Sequence, residues 1–181
     1  MIRVVAGLYK GKRLKRVPSP QVRPMPQKLK ESLFSMIQED LPGSLVLDGF
    51  AGTGSIGIEA LSRGARTAVF LEEFYPAVQA IRENVARCGA EEGARIVHRE
   101  FNRGVIQLAE EGARFDLIFL DPPYRLLNER DPLKVISKRD ILAENGTIIL
   151  RHFFKTDFDS KYYRRKKCIT RGDDTLVFYT G

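Results

Sequence analysis

The sequence predicts an α/β protein with a mostly parallel β-sheet and an antiparallel hairpin at its C-terminal end. Short apolar runs alternate with amphipathic helical stretches between residues 45 and 150, and only short loops separate them. The apolar runs are almost continuous, as in strands that are buried on both faces of a parallel sheet. A chain of 181 residues can bury such a core within one domain.

The first predicted helix begins at Gln27, carries an apolar stripe that includes Leu33 and Phe34, and ends before Pro42-Gly43. The alternating region follows it. Its predicted strands are residues 45–47, 67–71, 95–97, 115–120 and 147–150, and its predicted helices are residues 55–63, 75–88, 104–111 and 132–142. Two antiparallel strands, residues 162–169 and 175–179, close the chain around a Gly172-Asp173-Asp174 turn.

The N-terminal segment has a different pattern. Residues 2–14 are typical of a β-hairpin with a turn near Gly7 or Gly11. The four prolines between residues 17 and 26 favour an extended chain that does not pair within a sheet. We therefore expect an N-terminal hairpin with an extended segment, residues 1–26, attached to a larger domain, residues 27–181.

Charge is concentrated in the N-terminal segment. The first thirty residues hold nine basic and no acidic residues, whereas the remaining chain holds 21 basic and 23 acidic ones. A cationic arm on a nearly neutral body suits a nucleic-acid backbone, because binding would release condensed counterions. An arm that is merely solvated is the alternative. The candidate phosphate contacts are Arg3, Lys10, Lys12, Arg13, Lys15, Arg16 and Arg23.

Other classes of protein fit the sequence poorly. No apolar run approaches the roughly 18 residues that span a bilayer, and the residues after Met1 do not begin a signal peptide. Cys88 and Cys168 have neither the density of a disulfide framework nor metal-ligand spacing. We expect a cytoplasmic protein that needs neither a membrane nor a metal.

A glycine-rich turn follows the first strand of the alternating region. It runs from Asp48 through Phe50 to Gly52, Gly54 and Gly57, directly after the carboxyl end of a strand, where such sheets bind ligands. The glycine spacing also matches the dinucleotide fingerprint. However, a carboxylate beside the turn would repel a diphosphate, whereas it suits a ligand that carries an ammonium and a sulfonium. Glycines would let the backbone approach that ligand closely. The turn therefore predicts S-adenosylmethionine as the cofactor.

Two further strand ends supply candidate cofactor contacts. Glu72 ends the second strand, 18 residues after Gly54, where a carboxylate can accept both ribose hydroxyls. After the third strand, Glu100 could accept the exocyclic amine of adenine, with Phe101 against the ring; plain loop residues are the alternative.

Asp121-Pro122-Pro123-Tyr124 follows the fourth strand, and its chemistry suits methylation of an amine. The exocyclic amine of a base is a poor nucleophile, because its lone pair is delocalised into the ring. Hydrogen bonds to the Asp121 carboxylate and the Pro122 carbonyl would localise that lone pair and stabilise the charge that develops on nitrogen. Tyr124 offers a face for base stacking, and a base inside a helix would first have to be flipped out.

Together these residues resemble the amino-methyltransferases with an Asp/Asn-Pro-Pro-aromatic motif, and more closely the RsmD family, bacterial methyltransferases that act on guanine N2 of small-subunit ribosomal RNA. The resemblance runs from Arg3 to Tyr179. Its motifs are Arg3-Val4-Val5-Ala6-Gly7, Tyr9-Lys10-Gly11-Lys12, Val22-Arg23-Pro24, Lys30-Glu31-Ser32-Leu33-Phe34, Leu47-Asp48, Phe50-Ala51-Gly52-Thr53-Gly54, Glu59-Ala60-Leu61-Ser62-Arg63-Gly64 and Asp121-Pro122-Pro123-Tyr124.

The resemblance implies a Rossmann-like class I methyltransferase that acts on 16S ribosomal RNA or on a small-subunit assembly intermediate. We expect the protein to be a monomer. Asp48, Gly52 and Gly54 would then hold the methionine end of S-adenosylmethionine and Glu72 its ribose. Asp121 and Tyr124 would engage the guanine, and the basic hairpin would bind the RNA.

The chain departs from the family pattern at three places, namely Met25-Pro26-Gln27-Lys28, Glu100 and Leu150-Arg151-His152. Two other functions stay open. A DNA adenine-N6 methyltransferase would use the same Asp-Pro-Pro-Tyr loop, although the chain has no sizeable insertion for target recognition. An RNA-binding assembly factor without catalysis would not need the intact Asp121 and glycine-rich turn.

Overall fold

The computed structural model describes residues 1–20 and 22–181, with the side chains of Tyr124 and Asn128 excepted. Within these residues, nine strands form two sheets. Strands β1 and β2 make a small antiparallel pair, and the other seven form one sheet in the order β5-β4-β3-β6-β7-β9-β8. The strands are β1 Ile2–Arg3, β2 Arg13–Leu14, β3 Leu45–Gly49, β4 Thr67–Glu72, β5 Ala94–His98, β6 Phe115–Leu120, β7 Leu142–Phe153, β8 Arg164–Arg171 and β9 Asp174–Thr180.

The large sheet confirms the mostly parallel architecture and the antiparallel C-terminal hairpin. Strands β3 to β7 run parallel, and β9 pairs antiparallel with both β7 and β8. The carboxyl ends of β3, β4, β6 and β7 therefore meet at one edge, which we call the catalytic edge. Strand β7 is longer than the predicted residues 147–150 at both ends, because it pairs with β6 from Leu142 and with β9 as far as Phe153.

The helices are α1 Gln27–Met36, α2 Ser55–Ser62, α3 Tyr75–Cys88, α4 Phe101–Glu110, α5 Tyr124–Glu129 and α6 Pro132–Arg139. Helix α4 begins three residues before its predicted start, because the Glu100 carboxylate caps it by accepting a hydrogen bond from the Arg103 N–H at 3.1 Å. Helix α5 was not predicted, since six residues are too few to show a helical period.

Helices cover both faces of the sheet. Helices α1, α2 and α3 pack with the N-terminal hairpin on one face, where the rings of Phe34 and Phe119 lie 5.9 Å apart. Helices α4 and α6 pack on the other face, against side chains such as Leu71 and Leu120. Strands buried on both sides explain the continuous apolar runs in the sequence.

The N-terminal hairpin is anchored to α2 by a buried carboxylate. Glu59 is fully buried and accepts hydrogen bonds from the N–H groups of Val5 and Ala6 at 2.8 and 3.0 Å. The Lys30 ammonium lies 3.2 Å from the same carboxylate and donates to the Arg3 carbonyl. Apolar hairpin side chains, Ile2, Val4 and Leu14, enter the core beside α1, so the hairpin is part of the domain's packing.

Within the described residues, the longest helix has 14 residues, and none has the length and apolar character to cross a membrane.

Candidate active site

The glycine-rich turn is shaped by residues with positive φ angles. Phe50, Gly52 and Gly54 have φ values of +61°, +55° and +74°, a region in which glycine has no steric penalty. Gly57 has a different role, since a Cβ there would lie 2.4 Å from the Phe70 ring of β4. The turn can therefore fold tightly over the end of β3 while α2 starts close to the sheet.

Asp48 lies beneath this turn. It is buried, and its carboxylate accepts a hydrogen bond from the Gly57 N–H at 2.9 Å. Burial raises the pKa of Asp48 well above its usual value; the Gly57 hydrogen bond opposes this, and the nearby carboxylates of Asp121 and Glu72 add to it. The predicted carboxylates thus do come together, and a cationic group placed among them would relieve their repulsion.

Glu72 joins the glycine-rich turn to the loop that follows β4. Its carboxylate accepts the Gly52 N–H at 2.8 Å and the Phe74 N–H at 2.9 Å. These bonds hold the carboxylate at the end of β4, directly beside the glycine-rich turn. The neighbouring Glu73 is exposed, and no hydrogen bond of its side chain occurs among the described residues.

Phe50 and Phe101 form a stacked pair, with ring centroids 4.5 Å apart and planes inclined by 20°. Phe101 is buried and Phe50 is half-buried, so Phe50 is the ring with more accessible surface. The contact of Phe101 with the adenine ring stays a prediction, and Phe50 is the more accessible ring of the stacked pair. Glu100 uses one oxygen, Oε2, to cap α4, which leaves Oε1 for another donor.

The Asp121-Pro122-Pro123-Tyr124 segment, which we call the catalytic loop after its predicted role, begins with an ion pair. Arg151 Nη1, on β7, lies 2.8 Å from Asp121 Oδ2, and Arg151 Nε donates to Asp174 Oδ1 at 2.9 Å. Arg151 is only 6% exposed and Asp121 is 30% exposed. Burial raises the pKa of Asp121 above its usual value. The charge and the hydrogen bond of Arg151 oppose this shift, and the negative charge of Asp174 adds to it. Among the described residues, none donates a hydrogen bond to Asp121 Oδ1.

The rest of the loop is partly described. Pro122 is buried and Pro123 is the residue before α5, whose first residue is Tyr124. The predicted stacking by Tyr124 concerns a side chain that lies outside the described residues. The Asp121 N–H lies 3.5 Å from the Gly49 carbonyl, so the catalytic loop begins beside the end of β3.

The basic N-terminal residues are exposed. This holds for Arg3, Lys10, Lys12, Arg13, Lys15, Arg16 and Arg23. Lys15 has a counterion, since its ammonium lies 2.7 Å from Glu83. Lys30, which also belongs to the basic first thirty residues, is buried against Glu59 and supports the fold.

The extended N-terminal segment contacts the glycine-rich turn. Asn84 on α3 accepts the Lys15 N–H at 2.6 Å and donates to the Thr53 carbonyl at 2.9 Å. A Cβ on Gly52 would lie 3.1 Å from Val22 Cγ1. Sequence reasoning missed Asn84, because it belongs to no local motif. Val22 was part of the Val22-Arg23-Pro24 motif, but its contact with the glycine-rich turn was not predicted. Arg151 could have been suspected, since it departs from the family pattern at a strand end.

A cavity of about 660 Å³ lies elsewhere, between α4, α6 and residues 158–162. None of Asp48, Glu72 or Asp121 lines it. It therefore contributes nothing to the cofactor site described above.

Comparison with known proteins shows the family of this chain. A family model described as conserved hypothetical protein 95 matches residues 2–180. Ribosomal RNA small subunit methyltransferase D of Haemophilus influenzae is 31% identical over 149 residues, which cover 81% of this chain and 76% of the relative. The chain belongs to the RsmD family. YlbH of Bacillus subtilis is 36% identical over 83% of this chain and 82% of its own length.

Solved structures confirm the class I methyltransferase fold. The structure of yhhF from Escherichia coli has a TM-score of 0.86 at 24% identity and covers 98% of this chain and 96% of its own. A more distant methyltransferase, SMU.776, complexed with SAH, has a TM-score of 0.63 at 13% identity, over 81% of this chain and 48% of that one. For an RsmD-family chain, the cluster at the catalytic edge is the expected place for chemistry.

Proposed function

We propose that this chain transfers a methyl group from S-adenosylmethionine to the exocyclic N2 amine of a guanine in 16S ribosomal RNA, acting as a monomer. The observation that carries the proposal is the Asp121 carboxylate, which Arg151 holds at the catalytic edge beside the glycine-rich turn. Membership of the RsmD family supports ribosomal RNA as the substrate class.

The residues of the turn suit S-adenosylmethionine. Asp48 and Glu72 form an acidic pair in which each carboxylate already accepts backbone N–H groups, so both are positioned before a ligand arrives. Asp48 and Gly52 would hold the methionine end, Glu72 the ribose hydroxyls, and Phe50 with Glu100 the adenine. When bound, this cofactor supplies an electrophilic methyl group carried on a sulfonium. The sulfur is left as a neutral thioether when the methyl group is transferred.

The catalytic loop would act on the nucleophile. Asp121 Oδ1 and the Pro122 carbonyl can each accept one N–H of the guanine amine, which directs the nitrogen lone pair out of the ring plane. Positive charge develops on nitrogen as the new N–C bond forms, and the ionised Asp121 stabilises it. The amine then loses a proton to Asp121 or to water. Stacking on Tyr124 would contribute about 1–3 kcal/mol to holding the base.

Nucleoside mass spectrometry tests the proposal. Small-subunit RNA from a strain without this gene should lack one N2-methylguanosine, and the complementing gene should restore it. The Asp121→Ala gene should fail to restore it. Appearance of N6-methyladenine in DNA on complementation would instead establish the adenine-N6 alternative. Normal methylation in the deletion strain, with a subunit assembly defect, would favour a non-catalytic assembly factor.

A further inference from the structure

The chain has a second cationic segment besides its basic first thirty residues, which we call the N-terminal arm. Of its thirty basic residues, nine lie in the first thirty positions and six lie in residues 161–171. Neither segment contains an acidic residue. The rest of the chain has fifteen basic and twenty-three acidic residues, so it is strongly acidic. The net positive charge therefore lies in these two short stretches, and the rest of the chain is net negative.

The second segment includes the outermost strand of the large sheet. Among the described residues, strand β8 pairs only with β9, and no strand pairs with its other edge. Five basic side chains on it are exposed, and we call them the basic edge: Arg164, Arg165, Lys166, Lys167 and Arg171. A register shift between Arg165 and Lys167 leaves Lys166 without a partner on β9.

The charges of the basic edge are almost uncompensated. The one carboxylate within ion-pair distance is that of Asp159, 4.0 Å from Arg165. The other four side chains have no carboxylate within 4 Å among the described residues. Like charges held this close repel one another, and a polyanion would relieve that repulsion.

One end of the basic edge, at Arg171, lies at the catalytic edge of the sheet. Arg171 is the register partner of Asp174, whose carboxylate contacts Arg151, and Arg151 contacts Asp121. From Arg171 the strand extends back over seven residues, about 23 Å, to Arg164, away from the catalytic edge. In the strand order, β8 lies two places beyond β7, which is about 10 Å.

The N-terminal arm approaches from the other side. Its extended segment meets the cofactor turn where Val22 packs on Gly52, beside β3 and β4. The catalytic loop follows β6, which lies between β3 and β7 in the sheet. The two cationic segments therefore flank the catalytic loop on opposite sides along the sheet.

We propose that the basic edge binds the phosphate backbone of the RNA substrate, on the side of the catalytic loop opposite the N-terminal arm. This inference rests on the proposed function, since it identifies where the same substrate continues beyond the target base. Exposed lysine and arginine side chains bind phosphates without sequence preference and position the strand, while the catalytic loop selects the base.

Protection of the open edge is another role that cationic side chains can have. Lysines on an edge strand prevent it from pairing with the sheet of another molecule. Reversal of charge separates the two roles, because glutamates would protect the edge equally well but would repel RNA. Neutral glutamines would weaken both roles.

The experiment compares two triple variants of the full chain with matched controls. The test variants are Arg164→Gln/Lys166→Gln/Lys167→Gln and the corresponding triple change to Glu. The controls change Arg66, Arg87 and Arg114, three exposed arginines that lie at or next to the ends of other elements, in the same two ways. Binding is measured with a fluorescein-labelled 30-nucleotide single-stranded RNA between 50 and 300 mM KCl. Methyl transfer is measured on small ribosomal subunits from the deletion strain.

Three lost phosphate contacts should reduce the slope of log K against log salt by about 2 for the glutamine variant. The glutamate variant should bind RNA still more weakly, and both should raise KM for the subunit with little change in cofactor binding. The control variants should change the slope by less than half as much. A glutamate variant that is monomeric and binds RNA normally would overturn the proposal in favour of edge protection.

Failure of the proposed function would look different. In that case the unmodified chain would show no methyl transfer to subunits and no salt-dependent RNA binding. If the unmodified chain does both and the β8 variants match their controls, only the inference about the basic edge fails. Aggregation of the glutamine variant alone would leave the glutamate variant to decide.

Discussion

Arg151 Nη1 lies 2.8 Å from Asp121 Oδ2, so the carboxylate at the start of the catalytic loop is held by a buried guanidinium from the neighbouring strand. Asp174 holds the other side of Arg151. The guanidinium is a rigid fork and remains charged at all relevant pH values. It can therefore orient Asp121 and favour its ionised form at the same time.

Replacement of Arg151 by Met should move the acid limb of the activity profile to higher pH. Asp121 must be ionised to accept the amine, and burial already raises its pKa; loss of the Arg151 charge and hydrogen bond would raise that pKa further. Activity would then disappear at a higher pH as the solution is acidified. The measurement is kcat/KM between pH 5 and 9.

Arg151→Lys is the matched control, since it keeps the charge and loses only the fork. Its acid limb should stay closer to that of the unmodified protein. Thermal unfolding of both variants shows how much stability is lost, which should be up to about 3 kcal/mol for Met, because two carboxylates lose their partner. An unchanged pH profile with a lower Tm would reduce Arg151 to a structural role.

Asp121→Ala should reduce kcat by about a hundredfold or more, since one hydrogen-bond acceptor of the developing charge is removed. Binding of S-adenosylmethionine, measured by calorimetry, should be nearly unchanged, because Asp48 and Glu72 remain. Asp121→Asn keeps an acceptor oxygen without a titrating carboxyl; it should retain some activity and lose the acid limb. Equal loss of cofactor binding and methyl transfer in Asp121→Ala would contradict the role of Asp121.

Glu72→Gln should weaken cofactor binding by roughly 10- to 150-fold, the range for a hydrogen bond to a charged group. The amide oxygen can still accept one of the two backbone N–H groups that Glu72 now accepts, so the fold should persist. Glu73→Gln is the control, because Glu73 is adjacent and exposed. Calorimetric titration with S-adenosylhomocysteine compares the two, and equal effects would exclude a ribose contact by Glu72.

The N-terminal arm needs substitutions for its test, because deletion would remove Ile2, Val4 and Leu14 from the core. The variant Lys10→Gln/Lys12→Gln/Arg13→Gln changes only exposed side chains. It should lower the salt slope of RNA binding by about 2 and leave the unfolding free energy nearly unchanged. A normal slope would show that the arm is merely solvated.

Local patterns in the sequence predicted most of the fold and the position of the chemistry. Strand β6 is predicted at its observed bounds, Phe115–Leu120, and so is helix α3, Tyr75–Cys88. Both depend on signals within a few residues, namely a continuous apolar run and a helical period ended by Gly89. The same holds for Asp48 and Asp121, since the end of a parallel strand is visible in the sequence and strand ends share one edge.

The sequence by itself therefore determined the parallel sheet, the family, and which carboxylates lie at the catalytic edge. Only the tertiary structure decided what those carboxylates contact. Arg151 and Asp121 are 30 residues apart, and Lys15 and Asn84 are 69 apart, so each pair meets only through strand order and helix packing. The basic residues of β8 likewise became informative only when the sheet order placed that strand at an open edge. There Arg171 pairs with Asp174, which contacts Arg151 and so supports the catalytic loop.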